Sequence, residues 1–276
     1  MSQSINAATS AVTDTPRRWQ RFGAAQRFAR FAVYLGVVAA VMFSLRSIEV
    51  IPEFLLDSPE QVRDLLTRMW PIDWAHYPGG VHDALVETLH IATLGTLASI
   101  IMAVPLGLLA AHNVTPVAPI NYVAKLILVA SRSVNSLVWA LLFVAVFGPG
   151  ALAGTLAIAF RSIGFVGKLV GEALEEAQPG PIEALTAAGA PWISIVTKGY
   201  WPQIAPAFWS ITLFRWDINV RESAVLGLVG AGGIGMALDT ALNLFQWPRV
   251  ATVLASIFIV VIVAEVAVTW IRKRML

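Results

Sequence analysis

Cysteine is absent from the chain, which excludes disulfides, thiolate metal sites and cysteine nucleophiles, and leaves the redox compartment unreadable. Charge is also scarce: Asp, Glu, Lys and Arg make up 13% of the residues. Soluble domains hold about 25%, so there is too little charge here to cover a water-facing surface. Neither sign dominates, and a formal net charge of +2 is too small to indicate a nucleic-acid partner. The four histidines, His76, His82, His90 and His112, lack metal-ligand spacing such as H-E-x-x-H and read as loop or interfacial residues. No Ser-His-Asp or paired-carboxylate site can be assembled with any specificity.

What is present is apolar: 57% of the chain is hydrophobic. Residues 1–30 read as a disordered tail, with Arg17, Arg18, Arg21, Arg27 and Arg30 in its second half. The run "FAVYLGVVAAVMFSL" follows, and a first membrane helix is expected over 31–48. A signal peptide is disfavoured, because "RSIEVIPEF" offers no small-residue cleavage site. Residues 49–87 carry eight acidic residues and read as a loop, with an amphipathic helix at 58–70 capped by Ser58 in "SPEQ". Further spans are expected at about 88–111, 124–147, 151–171, 203–226 and 249–271. Pro105 within the second span is tolerable where neighbouring helices satisfy the freed carbonyl. The fold class is therefore all-α and polytopic, with about six spans. Basic residues cluster at the N-terminal tail, at Arg272-Lys273-Arg274 and beside alternate loops at Lys125, Lys168 and Lys198. The positive-inside rule then puts both termini and the 172–202 loop in the cytoplasm, and the Gly-rich 227–248 loop outside.

The 172–202 loop is the most informative stretch. Pro179 and Pro181 stop one helix and start another. "IEALTAAGA" has good helix formers, with Glu183 in its first turn and Gly189 where a helix can end. Pro191 forces a new direction. The picture is two short helices laid across a membrane surface, an element suited to docking a soluble partner.

Glu183-Ala184, Gly189 and Pro202 resemble the EAA loop of ATP-binding-cassette importer permeases, whose motif reads EAA, three residues, G, nine residues, IxLP. Leu185, Gly199 and Trp201 stand where that motif has alanine, isoleucine and leucine. "EAQPGPIEALTAAGA" and "FRWDINVRESAVLGLVGAGGIGMAL" are similar to phosphonate importer permeases of the PhnE type. The resemblance covers about residues 80 to the end and implies a MetI-like, type I importer fold for a core at 88–276. It further implies a homodimeric membrane domain, two cytoplasmic ATPase subunits that bind ATP and Mg, and an extracytoplasmic binding protein delivering phosphonate or a related oxyanion such as phosphite or phosphate. This chain itself would bind no cofactor, and Glu183 and Gly189 would lie on the helix that enters a cleft on the ATPase. The location implied is the bacterial inner membrane.

Charges at membrane depth are costly and must face protein or water. Arg132, Arg161, Arg215, Asp217, Arg221, Glu222 and Glu265 are such residues. Asp217 and Arg221, and likewise Arg215 and Asn219, are four apart and share a helix face. They read either as an ion-pair network fixing helix packing or as a path in which Arg132, Asn135 and Arg215 or Arg221 offer charge to an anion. Glu265 reads as a helix contact.

Two enzyme-like patterns dissolve on inspection. "GFVGKL" lacks the first glycine and the Ser/Thr of a phosphate-binding loop, having Ser162 and Leu169 there, so ATP hydrolysis belongs to a partner. Gly230, Gly232 and Gly235 match G-x-G-x-x-G. A dinucleotide turn, however, needs a preceding strand and an acid about twenty residues on, where this chain reads "VLASIFIV". These glycines, with Gly233, instead suit tight turns at an outer gate. The reading is thus an ATP-driven importer subunit working by alternating access. The alternative is an ion-gradient-driven secondary transporter, disfavoured by the EAA loop and by the lack of paired, helix-broken repeats.

Overall fold

In the computed structural model, residues 23–48 and 52–275 are described. The expectation of a polar tail falls mostly outside them. The chain divides into two units, Met1–Gln61 and Val62–Leu276.

In the first unit, α1 (Ala24–Ser47) starts seven residues before the apolar run, because Ala, Gln and Arg at 24–27 are good helix formers. Residues 24–30, expected in the tail, are therefore helical. Over residues 31–45 its side chains are exposed and almost all apolar, as a lipid-facing span requires. Helix α2 (Pro52–Met69) straddles the division and corrects the 58–70 expectation. It begins at Pro52, whose fixed φ suits a first helical position, with Glu53 in the first turn and Arg68 in the last. Ser58 is interior and donates to the Phe54 carbonyl instead of capping.

The second unit is built on α3 (His82–Ala110) and α6 (Ala151–Glu175). A 3₁₀ turn at Trp74–His76 and a π turn at Tyr77–Val81 lead into α3, so the expected 49–87 loop is largely helical. Without a hydrophobic drive between helices in lipid, close packing needs small residues. Both helices supply them. A Cβ on Gly107 would lie 2.9 Å from the Gly167 carbonyl, and one on Gly171 3.3 Å from the Gly107 carbonyl. Gly95 makes room for the Ile158 side chain, whose Cγ2 would lie 2.7 Å from a Cβ there. The register rises in both helices, so α3 and α6 run parallel. Between them lie α4 (Ala118–Ser133) and α5 (Ser136–Phe147). These are not the single straight span expected at 124–147: they meet at 89°. Asn135 caps α5 by accepting from the Leu137 N–H at 3.1 Å. Ser131 on α4 donates to the Phe160 carbonyl of α6 and accepts from the Gly164 N–H.

After α6 come α7 (Pro179–Ala187), the single turn α8 (Trp192–Ser194), a π turn at Ile195–Tyr200 and the long α9 (Trp201–Leu226). A 3₁₀ turn at Gly227–Val229 and the glycine turn lead to α10 (Ile234–Asn243), then α11 (Trp247–Met275). The expected 227–248 loop is thus mostly helix. Among the described residues, four helices are long and apolar enough to cross a membrane, or up to six if each bent pair is one span.

Candidate functional site

The α6–α9 connection presents its helix outward. No residue of α7 is buried, and Glu183 and Ala184 are exposed. Pro179 and Pro181 occupy the first turn of α7, where a missing N–H costs nothing. Its end is a Schellman closure: Gly189 has φ +71, its N–H donates to the Thr186 carbonyl, and the Ala190 N–H to the Leu185 carbonyl, both at 3.0 Å. One side of α7 is fastened to the bundle. Leu185 and Ile182 rest against Gly199, and Gln203 on α9 accepts from the Gln178 N–H at 2.9 Å. Pro202 is exposed at the second position of α9. These contacts join α7 to the start of α9.

At membrane depth the charged residues separate into two groups. Arg215 is 3% exposed; its Nε donates to Ser162 at 2.8 Å and its Nη2 pairs with Glu222 at 3.3 Å. Ser162 donates to the Asn219 carbonyl oxygen at 3.1 Å, and the Asn219 amide donates to Thr96 at 2.7 Å. Arg161 pairs with the same Glu222 at 3.1 Å and donates to the Val134 carbonyl at the α4–α5 break. One chain of hydrogen bonds thus links α3, α6, α9 and the bend, with Glu222 between two arginines. The expected spacing of Arg215 and Asn219 brings them together only through Ser162. Asp217 does pair with Arg221, as their spacing predicts, and Arg221 also lies 3.8 Å from Glu265 on α11. Arg161 and Ser162, essential to the first group, carry no sequence signal beyond a charge and a hydroxyl in an apolar helix.

The glycine turn is a clasp. Ala231, Gly232, Gly233 and Gly235 are buried, and Gly230, Gly232 and Gly233 have positive φ. The Gly150 N–H donates to the Gly230 carbonyl at 2.9 Å, and the Ile234 N–H to the Thr88 hydroxyl at 2.7 Å. The turn therefore ties α9 and α10 to α3 and to the α5–α6 hairpin. No group of His, Asp and Glu with metal-binding placement occurs among the described residues.

This architecture, a bundle with an outward-facing proline-bounded helix between its long spans, is that of a transporter membrane subunit. Residues 103–276 match the family described as binding-protein-dependent transport system inner membrane component, and the chain belongs to that family. It is a multi-pass inner-membrane permease subunit and not an enzyme. The phosphate-import permease protein PhnE of Mycolicibacterium smegmatis is 37% identical over 237 residues, 86% of this chain and 44% of that one. The chain thus spans less than half the length of that relative. The phosphite transport system permease protein PtxC of Stutzerimonas stutzeri is 32% identical over 93% of this chain and 90% of its own length. Among solved structures, the inward-facing MetNI methionine ABC transporter matches with a TM-score of 0.64 at 23% identity, covering 71% of this chain and 96% of that one. The fold is therefore the MetI-type importer permease fold expected from the sequence.

Proposed function

We propose that the chain forms the translocation path of an ATP-driven importer for a phosphorus oxyanion: phosphonate, phosphite or phosphate. Two copies work with two cytoplasmic ATPase subunits, which bind ATP and Mg, and with an extracytoplasmic binding protein. The observation that carries this reading is α7: a helix with no buried residue, fixed at one end by Gln203 and closed at the other by Gly189. Ile182 and Leu185 lean on the bundle, while the Glu183–Ala184 face stays exposed and is positioned to enter a partner. Basic residues at Arg272, Lys273 and Arg274, and Lys125, Lys168 and Lys198 at the same end as α7, favour a cytoplasmic orientation for that end and for both termini. Closure of the ATPase pair on ATP pushes α7, turns α9 and opens the cavity outward; hydrolysis reverses this. Arg132 and Arg221, exposed at membrane depth, are assigned to the path, with Asn135 beside the bend. Arg215, Asn219 and Glu222 hold the helices that shape it, together with the Asp217 salt bridge and the clasp at Gly230, Gly232, Gly233 and Gly235.

The test is reconstitution of the chain with its ATPase and binding protein in liposomes, followed by uptake of labelled phosphite, phosphate and methylphosphonate. ATP-dependent uptake of one of these supports the reading. Failure of an ATPase subunit to copurify, with uptake that survives ATP depletion and tracks an ion gradient, rejects it in favour of a secondary transporter.

A further inference from the structure

A cavity of about 220 Å³ opens between α4 and α6, near the α7 end of the bundle. Its charged lining is Lys125 and Arg132 from α4 and Lys168, Glu172 and Glu175 from α6, above an apolar floor that includes Leu128. Three cations therefore face two carboxylates. The carboxylates are already engaged. Glu175 accepts from the His112 N–H at 3.1 Å and from its ring at 2.8 Å, and lies 3.6 Å from Lys125. Glu172 holds Lys168 at 3.2 Å. Arg132 has no hydrogen-bond or ion-pair partner among the described residues, although its helix neighbours Ser131 and Ser133 both do. It stands one residue before the end of α4, beside the 89° bend.

A guanidinium left without a protein partner beside this cavity must meet water or a ligand. Its planar fork matches two oxygens of one phosphoryl group. Lys125 is held only loosely by Glu175, and an anion seated on Arg132 would compete for its ammonium. The apolar floor leaves room for a carbon substituent or an alkyl stem. We propose that this cavity binds a tetrahedral phosphorus oxyanion, with Arg132 as the bidentate donor and Lys125 and Lys168 as flanking charges. The ligand is either the free transported ion or an anionic phospholipid headgroup. The first form rests on the importer reading above; the second does not.

The assembled transporter, chain plus ATPase, is placed in phosphatidylcholine nanodiscs. Methylphosphonate and inorganic phosphate binding is followed by calorimetry, and phosphatidylglycerol retention by native mass spectrometry. One class of probe is expected to bind, and Arg132→Gln to weaken it at least tenfold. Lys125→Gln and Lys168→Gln are expected to weaken it less, and Arg132→Lys to restore part of it. Each variant is first shown to elute as wild type on size exclusion. Loss of the free ions alone identifies a transit site, and loss of the lipid alone a headgroup site. Wild type that binds neither probe, or well-folded Arg132→Gln that binds both as wild type does, overturns the proposal. Uptake by wild type is measured alongside. Uptake without Arg132-dependent binding removes this site and keeps the importer, whereas Arg132-dependent lipid binding without uptake does the reverse.

Discussion

Arg161 on α6 and Glu222 on α9 face each other at 3.1 Å, and Glu222 also neutralises the buried Arg215. Removing that carboxylate leaves two cations close together. Glu222→Gln is expected to cost about 3 kcal/mol, the lower end for breaking a buried pair, since Glu222 keeps some exposure. Thermal unfolding in detergent measures it. Arg161→Gln combined with Glu222→Gln should be less damaging than the sum of the two, because the residues share one network.

Asn219 is fully buried and carries the link between Ser162 and Thr96. Asn219→Ala leaves the Ser162 O–H without its acceptor, while Ser162 still accepts from Arg215 and Thr96 still donates to the Ala92 carbonyl, at an expected cost of about 1–3 kcal/mol. Thr96→Val removes one acceptor and should cost less. If Asn219→Ala melts as wild type does, the hydrogen-bond chain is not holding the helices.

Gly233 has φ +74 and ψ −166, a region almost confined to glycine. A Cβ there would also lie 2.6 Å from the Thr88 hydroxyl that receives the Ile234 N–H. Gly233→Ala should lose about 1–3 kcal/mol from backbone strain alone. Bulkier residues at Gly232 or Gly233 should impair transport. ATPase capture on α7, at the far end of α9, should persist. Loss of assembly in those variants would reduce the clasp to a folding role.

Glu183 lies on the outward face of α7 without a partner among the described residues. Glu183→Ala should leave stability within about 0.5 kcal/mol. It should lower ATP-driven uptake about tenfold or more, the scale of a docking hot spot. Gly189→Ala meets open space, so its cost is left-handed strain of about 1–2 kcal/mol at the end of α7. A weakened grip on the ATPase, read by copurification, is expected from it.

The elements written in the sequence were those with strong punctuation. Pro179, Pro181 and Gly189 announce α7 and its closure, and the apolar runs announce α3, α6 and α11. The bend at Val134–Asn135 has neither glycine nor proline. Its signal was the polar string from Ser131 to Ser136, which supplies a cap for α5 and a buried tether to Phe160 and Gly164. α10 was hidden because the glycines before it dominate the local pattern, although "IGMALDTALN" is a sound helix. The Arg215 network was half visible: i,i+4 spacing finds Asp217–Arg221, but it says nothing of Arg161 and Ser162, which reach Glu222, Asn219 and Arg215 from another helix.

Where Gly107 of α3 meets Gly167 and Gly171 of α6, backbone lies against backbone. Side chains can change rotamer to absorb sliding; backbone against backbone cannot. At that contact the two helices are therefore expected to move together through a transport cycle. Shape change is left to the joints around them: the bend between α4 and α5, the α7–α9 lever, and α11. Cross-links across α3 and α6 should consequently be silent in uptake, while one across the bend should stop it.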